Sequence, residues 1–196
     1  MKYVIVIFLF AMLSVSCQQQ FAGRQPVESD DYLIYSLLLN QLEYPRNDDS
    51  VKQFVIDEMT ERSNKDCDSE GMFERAKTKL TAEVKSAIAD FEKKNTISIP
   101  LSKKFHIKKS YVLISQEDKS IVFQNRIREW DAFYEKYPGS SGIISLSQVG
   151  YSADKTIAWV YWTTWCGGRC GKGGYYIFEK KEGSWNMKEF IGCWIS

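Results

Sequence analysis

The chain has 196 residues, with 26 Lys or Arg, 25 Asp or Glu, one histidine and five cysteines. Near-neutral charge without a basic run gives nucleic acid no electrostatic footprint and excludes it as a partner class. The lone histidine, His106, is the only imidazole available to a Ser-His or Cys-His pair, and it lies among Lys103, Lys104, Lys108 and Lys109, a stretch that reads as solvated.

The N-terminus is built for export. Lys2 is a short positive region, and Tyr3 to Leu13 is an unbroken apolar run, too short for the roughly 20 residues of a spanning helix. Residues 1–16 read as a signal peptide. Leu13-Ser-Val-Ser-Cys17 resembles the bacterial lipobox, with Leu13 four positions before the cysteine rather than three. The resemblance implies a lipid on Cys17, with a polar tether over 17–28 holding the rest off the membrane. Ser14-Val-Ser16 also suits ordinary cleavage, which leaves that alternative open.

About 180 residues remain, enough for one α+β domain over 29–196. Ser29 with Asp30 and Asp31 caps a helix over Tyr32 to Leu42, with Ile34, Leu38 and Leu42 on one stripe. Gln53 to Thr60 alternates like a strand, and its adjacent Asp57 and Glu58 point to opposite faces, which suits an edge strand rather than a paired acid and base. Cys67 falls in a polar loop. Phe73, Ala76, Leu80, Val84, Ala87, Ile88 and Phe91 keep helical spacing from Met72 to Asn95. Ile97 to Leu101 is extended, and Tyr111 to Ile114 is a strand. Ser115 and Asp118 have capping-box spacing for a short helix to about Gln124. Ile127, Trp130, Phe133, Tyr134 and Tyr137 mark another helix, stopped by Pro138-Gly139.

The remainder reads as an antiparallel meander of about four strands, over 143–151, 156–166, 174–181 and 185–195. The expected fold packs the preceding helices on this meander. Both faces of the second strand are apolar or aromatic (Ile157, Trp159, Tyr161 against Ala158, Val160, Trp162), so both require covers. A long Gly-rich loop is expected between the middle pair.

That loop carries the candidate chemistry. Trp165-Cys-Gly-Gly-Arg-Cys170 resembles the thioredoxin active site with one residue too many, but a glycine turn and a strand follow where that chemistry needs a helix N-terminus. An even set of Cys67, Cys166, Cys170 and Cys193 in an oxidising compartment favours disulfides. Adjacency suggests Cys166–Cys170, leaving Cys67 and Cys193 as a second candidate pair. Gly171-Lys172 lacks the flanking residues of a phosphate loop. Cys166, Cys170, Cys193 and His106 are ligand types for zinc, yet oxidation competes, so neither metal nor cofactor is expected. Arg169 and Lys172 are the loop's only charges and its candidate binding residues. Its glycines admit two explanations: close approach of a ligand, or a turn that demands φ > 0.

Trp130-Asp-Ala-Phe-Tyr-Glu-Lys-Tyr-Pro-Gly139, Gly142-Ile-Ile-Ser-Leu-Ser-Gln-Val-Gly-Tyr-Ser152, Cys166-Gly-Gly-Arg-Cys-Gly171 and Trp194-Ile-Ser196 resemble a group of uncharacterised bacterial secreted proteins and lipoproteins. The resemblance covers roughly 30–196 and is densest from 130 onward. It implies an exported single domain with a Gly/Cys hairpin and transfers no catalytic residue. The expected role is non-catalytic binding of a protein or small ligand by a lipid-anchored envelope protein, with the outer membrane favoured. A thiol-disulfide enzyme using Cys166 and Cys170, and an inhibitory or structural module acting on another envelope protein, are the alternatives.

Overall fold

The computed structural model describes residues 29–42, 51–62, 79–124 and 129–196. They form a mixed α+β fold. In chain order the elements are α1 (Ser29–Gln41), β1 (Gln53–Asp57), α2 (Ala82–Lys94), β2 (Ser110–Ile114), α3 (Gln116–Val122), α4 (Glu129–Lys136), β3 (Ser140–Leu146), β4 (Gly150–Tyr151), β5 (Ile157–Gly167), β6 (Cys170–Lys181) and β7 (Ser184–Ile195). Among the described residues no helix is long and apolar enough to cross a membrane.

One sheet of seven strands runs in the order β2-β1-β3-β5-β6-β7, with β4 paired to β5. From β3 to β7 the pairing is antiparallel. The sheet extends further, however, because β1 pairs in parallel with both β2 and β3. This corrects the edge-strand reading of Gln53 to Thr60: β1 is internal, and Phe54, Val55 and Ile56 are buried. Asp57 and Glu58 lie where β1 ends, and both serve α3. The Asp57 carboxylate pairs with Lys119 Nζ at 2.5 Å, and Glu58 Oε1 accepts from the Gln116 amide at 2.9 Å, at the positive end of that helix.

Helix starts also differ from their expected positions. Ser29 is already helical in α1. Of the expected run from Met72, residues 72–78 lie outside the described residues, and Thr81, whose hydroxyl accepts from the Val84 amide at 3.3 Å, caps α2 at Ala82. Ile97 to Leu101 makes only a single bridge, between Met59 and Pro100. The first meander strand divides into β3 and β4 around Ser147–Val149. There Ser147 Oγ accepts from the Tyr161 amide at 2.8 Å, and Asn95 Oδ1 accepts from the Gln148 amide at 2.8 Å, so side chains satisfy the interrupted backbone.

The sheet is covered on both faces. Ala158, Val160 and Trp162 of β5 join Ile34, Tyr35 and Leu38 of α1 in one cluster. Ile157, Trp159 and Tyr161 join Val84, Ala87 and Phe91 of α2 on the other. On that second face, farther along the sheet, Val55, Ile114 and Ile143 pack with Val122, Phe133 and Tyr137 from α3 and the end of α4. Burial on both sides explains why the alternation along β5 is apolar at every position.

Candidate functional site

The predicted Gly-rich loop is a strand. β5 and β6 pair from Ile157↔Glu179 to Gly167↔Cys170, leaving only Gly168 and Arg169 in the turn. Cys166 and Cys170 are joined by a disulfide across its base, with Cα atoms 5.0 Å apart. Tyr134 Oη donates to the Cys166 carbonyl at 2.9 Å, tying α4 to the hairpin. Cys166 lies inside β5, so no helix dipole acts on its sulfur as thioredoxin-type chemistry requires. Cys193 is also disulfide-bonded. Cys67 and Cys17 lie outside the described residues.

The zinc ligand types are not brought together. His106 is exposed just before β2, at the opposite edge of the sheet from β7 and Cys193. Its backbone is held by Ser36 Oγ and Asn40 Nδ2 of α1. Among the described residues, no three His, Cys, Asp or Glu side chains are grouped to hold a metal.

The φ > 0 explanation does not account for the glycines of the hairpin. None of Gly167, Gly168, Gly171, Gly173 and Gly174 has a positive φ. Gly171 and Gly173 are required by aromatic rings of the chain itself, and Gly174 by the Ile191 carbonyl oxygen, which an added Cβ would strike, together with the Phe190 ring. A Cβ on Gly171 would stand 2.8 Å from Trp165 Cε3, one on Gly173 2.6 Å from Trp194 Nε1, and one on Gly174 2.7 Å from Phe190 Cε2. Neighbouring strands thus lay their rings across bare backbone. Trp165 and Trp194 meet with centroids 4.6 Å apart, and Trp194 Nε1 donates to Tyr161 Oη at 2.8 Å.

The two candidate cations occupy different places. Arg169 is exposed at the turn. Lys172 lies opposite Thr164 in the β5–β6 register, and its Nζ is 5.4 Å from the centroid of the Trp162 ring. Neither makes an ion pair among the described residues. Trp162 and Thr164 alternate onto the same face as Lys172. Both are buried, at 2% and 4% exposure, and Trp162 Nε1 and Thr164 Oγ1 have no hydrogen-bond partner among the described residues. Tyr176 and Phe190 complete this face, with centroids 6.1 and 6.2 Å from Trp162. Burial pushes the Tyr176 phenol up to about 12, so it stays a protonated donor at neutral pH.

The opposite face carries Glu61, whose Oε2 accepts from Thr163 Oγ1 at 2.9 Å. Burial raises its carboxyl pKa above the usual range, although the Thr163 hydrogen bond acts in the other direction.

Sequence reasoning missed Trp162 and Thr164 as neighbours of Lys172, and Tyr176 and Phe190 as the rings beside Trp162. The β5 alternation already places the first two on one face. What was hidden is the β6 register, because five glycines in nine residues read as a turn. Comparison with protein-family models, curated proteins and solved structures gives no significant match in any of the three.

Proposed function

We propose that this chain is an exported protein, anchored to the bacterial envelope by a lipid on Cys17, that works by binding a small ligand or partner at the Gly/Cys end of β5, β6 and β7. The observation that carries this reading is the chemistry of that end: Arg169 and Lys172, which make no ion pair among the described residues, beside Trp165 and Phe190 at 42% exposure each and Ile195 at 82%. Exposed aromatic and apolar side chains beside cations are characteristic of recognition surfaces. The lipobox-like residues before Cys17 and the resemblance to bacterial secreted proteins and lipoproteins support the address, with the outer membrane favoured. The redox alternative is less well supported, because Cys166 lies within a strand and not at the helix N-terminus that thioredoxin-type chemistry uses.

Two measurements test the reading. The wild-type chain should partition with membranes and incorporate labelled fatty acid, and Cys17→Ala should do neither. Arg169→Ala with Lys172→Ala should keep the melting temperature while abolishing recovery of a partner cross-linked in the native envelope. Equal labelling of Cys17→Ala overturns the anchor, and undiminished recovery by the double variant overturns the site.

A further inference from the structure

We propose that Lys172, Thr164, Trp162 and Tyr176 form a site for the oxyanion group, carboxylate or phosphate, of a small ligand with a flat apolar body. This inference rests on the binding reading above and names its ligand class.

Three observations carry it. First, the polar groups are of one kind. An ammonium, an indole N–H and two hydroxyls face one side of the β5–β6 pair, and among the described residues no carboxylate is paired with Lys172. Buried donors without acceptors are costly, and a native protein keeps them where something supplies the acceptor. An oxyanion accepts several hydrogen bonds at once and matches the lysine charge. Second, the walls are aromatic. Trp162, Tyr176 and Phe190 surround the donors, with Tyr176 and Phe190 centroids only 4.8 Å apart. Such a lining suits a flat apolar body attached to the charged group. Third, the cover is adjustable. Phe190 is the exposed ring of the three, it lies over Gly174, and even a Cβ added at Gly192 would only make ordinary contact with its edge, at 3.6 Å. Rotation of Phe190 opens a path to Trp162 and Thr164 without moving the strands.

The test is an NMR titration of the full chain in nonionic detergent, reading the Trp162 indole N–H, which is assigned by its disappearance in Trp162→Phe. The probes are benzoate and phenyl phosphate, which share a ring and differ in the oxyanion, with neutral benzamide and ionic-strength-matched sodium chloride as controls. Benzoate, phenyl phosphate or both should shift the resonance saturably, and the responding probe tells carboxylate from phosphate. Lys172→Ala should weaken that binding by about tenfold or more, as expected for a charge-assisted contact. The isosteric Thr164→Val keeps the strand packing and should also weaken it. The proposal is overturned if neither anion produces a saturable shift, if benzamide binds equally well, or if binding survives unchanged in Lys172→Ala. In those cases a partner still recovered through Arg169 and Lys172 leaves the broader binding reading standing. Loss of fatty-acid labelling bears on the anchor alone.

Discussion

The two sides of the sheet solve the same packing problem with different materials. Around β2, β1 and β3 the strands are aliphatic. Val55, Ile114 and Ile143 meet Phe133 and Val122 of separate helices, and Phe54, Ile56 and Ile144 face the α1 side. Toward the hairpin end of β5, β6 and β7, glycines stand where side chains would be, and rings from adjacent strands fill the space. The first arrangement depends on helices arriving from elsewhere in the chain. The second is made by the sheet from its own residues, and it leaves polar donors such as Trp162 Nε1 and Thr164 Oγ1 among the rings. The difference teaches that the aliphatic side is suited to stability alone, whereas the aromatic side also holds groups that packing does not explain.

Substitutions can break or sharpen that contrast. The largest effect is expected on the aliphatic side. Phe133→Ala removes a fully buried ring that contacts Phe123, Trp130 and Tyr137 and should cost about 3–5 kcal/mol in denaturant unfolding. On the aromatic side, Gly173→Ala forces a Cβ against Trp194 and Tyr161 and should cost up to about 3 kcal/mol. A changed near-ultraviolet circular dichroism signal should accompany it, and a neutral result would show that the rings rest there loosely. Replacing Cys166 and Cys170 together by Ser should cost about 2 kcal/mol, the loop-entropy figure for so short a ring, without changing the aliphatic side's hydrogen exchange.

Glu61→Gln should work in the opposite direction. Burial raises the pKa of this carboxyl, so stability is greatest when Glu61 is protonated and falls as pH rises through that raised pKa. Glutamine keeps an acceptor for Thr163, so the variant should melt about 2–4 °C higher than wild type at pH 7. The gain should vanish near pH 4, and a constant gain across that range would exclude ionisation as its cause. The smallest effect is expected at Gly168, where an added Cβ meets nothing within 4 Å. Gly168→Ala should stay within about 0.5 kcal/mol of wild type, which separates the turn glycine from those under the rings.

Much of this architecture is legible in local pattern. The Ser115 cap, the Pro138-Gly139 stop and the two apolar faces of β5 all follow from residue type and spacing, and the Glu182-Gly183 turn follows from its φ > 0 chemistry. Non-local pairing is another matter. Nothing in Gln53–Asp57 announces two parallel partners, because parallel register depends on segments far along the chain. The glycines of β6 mislead for a related reason. Glycine has a low intrinsic preference for strands, and it is the rings of Trp165 and Trp194, and at Gly174 the Ile191 carbonyl with the Phe190 ring, in adjacent strands that make it the residue that fits. The Cys166–Cys170 link needs only adjacency, and so it could be anticipated. The neighbours of Lys172 required the register and could not.

β7 forms one end of the sheet, and its pairing with β6 shifts register twice, between Gly173 and Gly174 and again between Ile177 and Phe178. Among the described residues no strand pairs with the outer side of this twelve-residue strand, and backbone amides and carbonyls along such a side can pair with an extended chain. Each irregularity bends the strand and turns part of that outer row out of line. Two copies meeting edge to edge can therefore match only short stretches before their ladders fall out of step. The same bulges that seat Trp194 over Gly173 thus act against edge-to-edge self-association through β7.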